Sequence, residues 1–178
     1  MTEESDTDSQ LEEAREAFIA QWGALGTSWG INRTMAKIHA LLMVSPEPLS
    51  TDDCMERLEI SRGNAHSNLK ELTAWGLIRI VVRKGERREY FEAEKTVWKI
   101  FTMIARERKR REIDPALDVL RQCKSATSGL DSEAGREFNQ QMNELEQFVA
   151  MASKAGDKIA DMQHSKAMQL AAKLFGLT

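Results

Sequence analysis

The sequence predicts a mainly α-helical chain that carries one small β-hairpin. Three observations lead there. Apolar residues recur at three- and four-residue steps over most of the 178 positions. The period falls to two only across residues 78–93. The three prolines, and glycines such as Gly76 and Gly85, fall where one segment gives way to the next.

The length and a hydrophobic content of 42% suffice for one folded domain with helical extensions. The longest stretch free of Asp, Glu, Lys and Arg, residues 17–32, is shorter than the ~20 apolar residues of a membrane span. The acidic opening MTEESDTDSQ has neither the basic start nor the apolar run of a secretory signal. No membrane partner is expected, and the location expected is cytoplasmic. Cys54 and Cys123 lie far apart, and His39, His66 and His164 have no metal-ligand spacing, so neither a metal nor a cofactor is expected. The two cysteines read as buried thiols, with a redox switch as the alternative.

The net charge of −3 hides a dipolar distribution. Residues 1–20 hold seven acids and one base, residues 61–93 seven bases and four acids, and residues 95–112 seven bases and two acids. Basic charge is concentrated in the middle of the chain.

The elements follow in order. Residues 3–8 read as a frayed acidic tail, after which Leu11, Ala14, Phe18, Trp22 and Leu25 mark an amphipathic helix ending at Gly26. A second helix starts near Asn32, carries Met35, Ile38, Leu41 and Leu42 on one side, and ends before SPEP. Ser50, with Asp53 three residues on, makes a capping-box start for a two-turn helix burying Cys54, Met55 and Leu58. Ser61 caps the next, whose Ala65, Leu69 and Leu72 are spaced i, i+4, i+7, and Gly76 closes it. Ile78, Ile80 and Val82 then alternate with Arg79, Val81 and Arg83, and REYFEA pairs back across a Lys84–Gly85 turn.

Beyond Lys95 the pattern is helical again. Val97, Ile100, Phe101 and Ile104 precede the charged run RERKRRE, and Asp114-Pro115 restarts a helix with Asp as cap. RERKRRE reads either as a solvated helix face or as extra phosphate contacts. After the loop SATSGLDSE, Phe138, Met142, Leu145, Val149 and Ala152 keep the rhythm of a coiled-coil seam. Gly156 interrupts it before a last amphipathic segment with Met168, Leu170 and Leu174.

Helix, tight turn, helix and basic hairpin in immediate succession point to DNA. At 100° per residue, Ala65, Leu69 and Leu72 face inward and Gly63, His66, Ser67, Lys70 and Glu71 outward, with Arg62 and Asn64 on the flanks. Asn can bond an adenine edge, Arg a guanine edge, and Ser or His either bases or phosphates. Gly63 reads as a point of close approach to the duplex or as a glycine tolerated in a loose first turn. The hairpin tip, residues 83–88, holds four bases and one acid, suited to phosphates beside the minor groove; a solvated hairpin is the alternative.

The stretches LSTDDCMERLEISRGNAHSNLKELTAWGLI and KGERREYFEAEKTVWKIF, within residues 29–101, resemble MarR-type winged-helix regulators. The likeness is closest to the branch named for the glycine betaine synthesis regulator GbsR. It implies a homodimer that binds operator DNA, and a small-molecule effector as a further partner. It also implies that Arg62, Asn64, His66, Ser67 and Asn68 lie at or near the DNA-reading surface and that Arg83, Lys84, Arg87 and Arg88 form the wing; Ser61, Gly63 and Lys70 join that surface from their places at the start and on the outward face of the helix. Trp22, Trp29 and Trp98 read as core residues or as an aromatic cage for a quaternary ammonium effector.

The organisation expected is therefore a tail and N-terminal dimerisation helix at 1–28, a winged helix-turn-helix at 29–94, and a connecting helix with a C-terminal helical dimerisation region at 95–178. A transcriptional regulator is the leading function, and a winged-helix module that docks proteins is the alternative. No nucleophile–base pair, phosphate-binding glycine loop or metal cluster points to an enzyme.

Overall fold

The computed structural model describes residues 2–161, 166, 173 and 174, in two packing units, Met1–Ile100 and Phe101–Thr178. The first unit contains α1 (Thr2–Ser28), α2 (Arg33–Val44), β1 (Leu49–Ser50), α3 (Thr51–Leu58), α4 (Arg62–Ala74), β2 (Ile78–Val82) and β3 (Glu89–Ala93), and it ends within α5 (Val97–Arg108).

Two expectations about α1 are corrected. The acidic segment is helical from Thr2, since negative charge in the first turns suits the positive end of a helix dipole. The helix also continues through Gly26 to Ser28. A Cβ on Gly26 would lie 2.6 Å from the Ala36 Cβ, and one on Gly23 would lie 2.8 Å from the Lys37 Cγ. These glycines are the points at which α1 rests on α2. Asn32 caps α2, its side chain accepting from the backbone N–H of Thr34 at 2.9 Å and of Met35 at 3.1 Å, and Met35, Ile38, Leu41 and Leu42 are buried.

Ser50 and Asp53 form a reciprocal capping box on α3. The backbone N–H of Ser50 holds the Asp53 carboxyl below the usual carboxylate range. Cys54 is fully buried, and burial pushes its thiol up to about 12, so it stays protonated. Met55 and Leu58, expected to be buried with it, are half-buried because a two-turn helix covers only one line of contacts. Glu59 adopts a left-handed φ of 53° that ends α3, and Ser61 caps α4 two residues later. Ala65, Leu69 and Leu72 are buried beneath α4, and Gly76, at φ 76°, releases the chain into β2.

The sheet is antiparallel in the order β1-β3-β2, with Leu49 and Ile80 on either side of Phe91. The strand β1 was not anticipated, because two residues carry no periodicity. Ile78 is buried at the root of the hairpin, whereas Ile80 is 45% and Val82 82% exposed. The alternating face is therefore covered only at its base, and the hairpin projects as a wing. This unit is a winged helix-turn-helix with an added N-terminal helix.

The second unit holds the end of α5, a π-helical turn (Lys109–Ile113), α6 (Asp114–Thr127) and α7 (Glu133–Asp161). The helix does not break at Asp114-Pro115. The π-turn carries it through, and the Asp114 carboxylate takes the Lys109 Nζ at 3.0 Å instead of capping. Likewise α7 passes through Gly156 without interruption. It is fixed to α6 by polar contacts. Asn139 donates to Lys124 O at 2.8 Å, and Arg121 meets Glu146 at 3.1 Å. Of the predicted seam, Met142 and Val149 are half-buried while Phe138, Leu145 and Ala152 are exposed. His164, Met168 and Leu170 lie outside the described residues. Among those residues, no helix is long and apolar enough to cross a membrane, and no group of three His, Cys, Asp or Glu could hold a metal.

Candidate nucleic-acid interface

The face expected to read DNA begins at the capped end of α4. The Ser61 Oγ accepts from the Asn64 N–H at 3.3 Å, which fixes where the first turn starts. Arg62, Gly63, His66, Ser67 and Lys70 are exposed, and Asn64 is half-buried. A Cβ on Gly63 would meet no atom within 4 Å. Nothing inside the protein therefore requires glycine there.

Asn68 is placed otherwise than the sequence suggested. It is 8% exposed, and its Nδ2 donates to the Asn64 O at 2.8 Å and to the Asn64 Oδ1 at 2.7 Å. A side chain held inward in this way orients Asn64 and leaves the Asn64 amide N–H groups pointing away from the network. Ser67 adds a second local bond, donating to Asn64 O at 3.2 Å. The signal available in sequence was the i, i+4 spacing of the two asparagines.

The wing cations divide into two kinds. The Arg83 guanidinium lies 4.2 Å from the centre of the Tyr90 ring and 3.5 Å from Glu47. The Tyr90 hydroxyl in turn donates to Glu86. Arg88 lies 3.7 Å from Asp52. Lys84 and Arg87 are exposed, and neither has an ion-pair partner among the described residues. The turn that presents them is closed by the Glu86 N–H donating to Arg83 O at 3.1 Å, with Gly85 at φ 89°. Arg83 and Arg88 thus brace the wing, and Lys84 and Arg87 remain available to an anion. Glu47, Asp52 and Tyr90 are participants that the sequence reading missed, because each acts through a partner that only the folded chain brings near.

The run RERKRRE is largely occupied within its own unit. Glu107, 8% exposed, accepts from Arg110 at 2.9 Å and from Arg111. Arg106 meets Asp161 at 2.7 Å, Arg108 meets Glu112 at 3.4 Å, and Lys109 meets Asp114 and, at 3.7 Å, Asp157. Every cation of the run has a carboxylate partner, which favours an internally paired face over phosphate contacts.

The tryptophans read as core residues or as an aromatic cage have differing surroundings. Trp22 stacks on Phe18 with ring centres 5.4 Å apart and lies 6.3 Å from the His39 ring, so its neighbours are the rings of the α1–α2 contact. Trp29 is 56% exposed and Trp98 half-buried. None of the three lines the α1–α2 cleft of about 390 Å³ or the groove of about 450 Å³ along α7.

No protein-family model matches the sequence, and no curated protein matches it. Among solved structures, the crystal structure of a transcriptional regulator aligns over 82% of this chain and 99% of that one. Its TM-score is 0.55 at 20% identity, a likeness of fold. A mutant of S. aureus MepR bound to an oligodeoxyribonucleotide aligns over 97% of this chain and 94% of its own. With 11% identity and a TM-score of 0.36, it is too distant to bear on this chain.

Proposed function

We propose that the protein is a sequence-specific regulator of transcription that binds double-stranded DNA as a homodimer. Helix α4 enters the major groove and the wing follows the backbone or the adjacent minor groove. It is a MarR-type regulator in this reading, nearest the glycine betaine synthesis regulator branch that its central motifs resemble. The observation that carries the reading is the meeting of helix and wing at one place. Arg62 at the start of α4 and Arg88 at the tip of the wing lie within 2.6 Å and 3.7 Å of the same Asp52 carboxylate. Asn64 is oriented within the first turn of α4, and Lys84 and Arg87, without an ion-pair partner among the described residues, are exposed at the wing tip. This is the division of labour a duplex asks for, since phosphate contacts fix register and base contacts read sequence.

The test is binding to duplexes selected by the protein from its own genomic DNA, with scrambled duplexes as controls. Lys84→Ala with Arg87→Ala weakens binding to both and lowers the slope of log K against log salt by about 0.9 for each lost phosphate contact. Asn64→Ala lowers affinity for the selected duplex alone, by about 1–3 kcal/mol. A protein-docking wing would leave both quantities unchanged.

A further inference from the structure

We propose that Asp52 is a specificity-determining residue of the duplex-binding face, although it touches no DNA itself. Its Oδ1 accepts from the Arg62 Nη2 at 2.6 Å, and its Oδ2 lies 3.7 Å from the Arg88 Nη1. One carboxylate in the first turn of α3 thus holds the first arginine of the recognition helix and the last arginine of the wing tip. The proposal rests on the DNA-binding reading and adds to it a residue that sets how the two arginines are used.

Stability does not account for the arrangement. Asp52 and Arg62 are 44% and 70% exposed at their side chains, and ion pairs that open to solvent contribute little to folding. The pairing has two other consequences. A guanidinium carries five donors in a planar fork, and Asp52 engages Arg62 through Nη2 alone, which biases the side chain toward one orientation and leaves four donors for other partners. That favours bidentate contact with a guanine edge over wandering among phosphates. The carboxylate also cancels one of the two positive charges and repels nearby phosphates. Any duplex meets this cost, and only one with the right base under Arg62 offsets it. Asp52 acts as a filter, lowering affinity for arbitrary DNA more than affinity for the correct site.

The test compares Asp52→Asn, which keeps the shape and removes the charge, with the unaltered protein. The probes are a duplex that the unaltered protein has selected from a randomised pool and a scrambled duplex of the same composition, each titrated over a range of salt. Asp52→Asn is expected to bind the scrambled duplex several-fold more tightly, to steepen its salt dependence by about 0.9 in log–log slope, and to reduce the selected-to-scrambled affinity ratio at least tenfold. Asp52→Glu, which restores the charge, brings the slope back. Because the ratio is taken on one preparation, any loss of folded protein cancels from it. A ratio unchanged within twofold, or a slope that stays steep in Asp52→Glu, overturns the proposal. Failure of the unaltered protein to prefer any selected duplex overturns the DNA-binding reading itself, and the two failures are separate.

Discussion

Gly63 stands in the first turn of α4, where a Cβ would meet no atom within 4 Å, so the glycine lowers helix propensity with nothing in the fold to offset it. If the offset comes from close approach of the duplex, Gly63→Ala moves two measurements in opposite directions. The unfolding free energy rises by up to about 0.5–1 kcal/mol, while affinity for the selected duplex falls. A variant that is stabilised and binds as before would show that Gly63 makes no approach. His39 offers a second residue-level test. It is 3% exposed, its Nε2 has no hydrogen-bond partner among the described residues, and burial lowers its pKa from 6.5 to about 4. The unfolded chain therefore binds the proton more readily. Stability contributed by the neutral ring is complete above pH 6.5 and is lost as pH falls toward 4, with about 3 kcal/mol at stake. Urea unfolding between those limits is expected to show this slope and His39→Leu to remove it. Equal pH dependence in both proteins would place the sensitivity elsewhere.

Single elements are held by local chemistry that a substitution can remove cleanly. Ser50 is both the N-cap of α3 and a residue of β1 paired opposite Tyr90, so one position starts a helix and anchors the wing's third strand. Ser50→Ala removes the acceptor for the Asp53 N–H, 3.2 Å away, and the hydroxyl that donates to Asp53 at 2.7 Å. The expected loss is about 0.5–2 kcal/mol, seen as a lower urea midpoint with an unchanged m-value. A loss of under about 0.3 kcal/mol would mean that the cap is replaced by water. Such caps were legible in sequence. Ser50 and Ser61 accept from free N–H groups at a helix start and Gly76 takes the positive φ that follows a helix end, and they bound α3 and α4 within two residues. The i, i+4, i+7 spacing likewise marked Ala65, Leu69 and Leu72 as buried. What was not legible depends on distant partners or on elements too short for a period. The two residues of β1 carry no alternation, and the π-turn looks like a fresh start because Asp-Pro is also a cap signal. Arg106 and Asp161 pair across 55 positions. On the candidate interface, the residue types and the capped start of α4 could be read from sequence. The inward turn of Asn68 and the shared hold of Asp52 on Arg62 and Arg88 could not.

For the whole molecule, the decisive feature is apolar surface that a single chain leaves uncovered. On α1, Leu11 is 49% and Leu25 42% exposed; on α7, Phe138 is 40%, Leu145 43%, and Phe148 and Met151 each 63% exposed. Two helices with apolar stripes turned to water are a standing drive for association, and identical chains most often meet that drive with a two-fold axis. A two-fold axis also matches the DNA reading, because it sets two copies of α4 on half-sites one helical turn, or a multiple, apart. The prediction is that the intact chain sediments at twice the mass of one chain at micromolar concentration. Replacing Leu145 and Phe148 together by Glu yields monomers, because like charges then face each other across the seam. Leu145 and Phe148 are both exposed, so the secondary structure is expected to be retained. Affinity for a palindromic duplex then collapses toward that for a half-site, while the half-site affinity itself is unchanged. An intact chain that sediments as a monomer would remove the dimer from the proposal. A double variant that still dimerises would transfer the interface from α7 to α1.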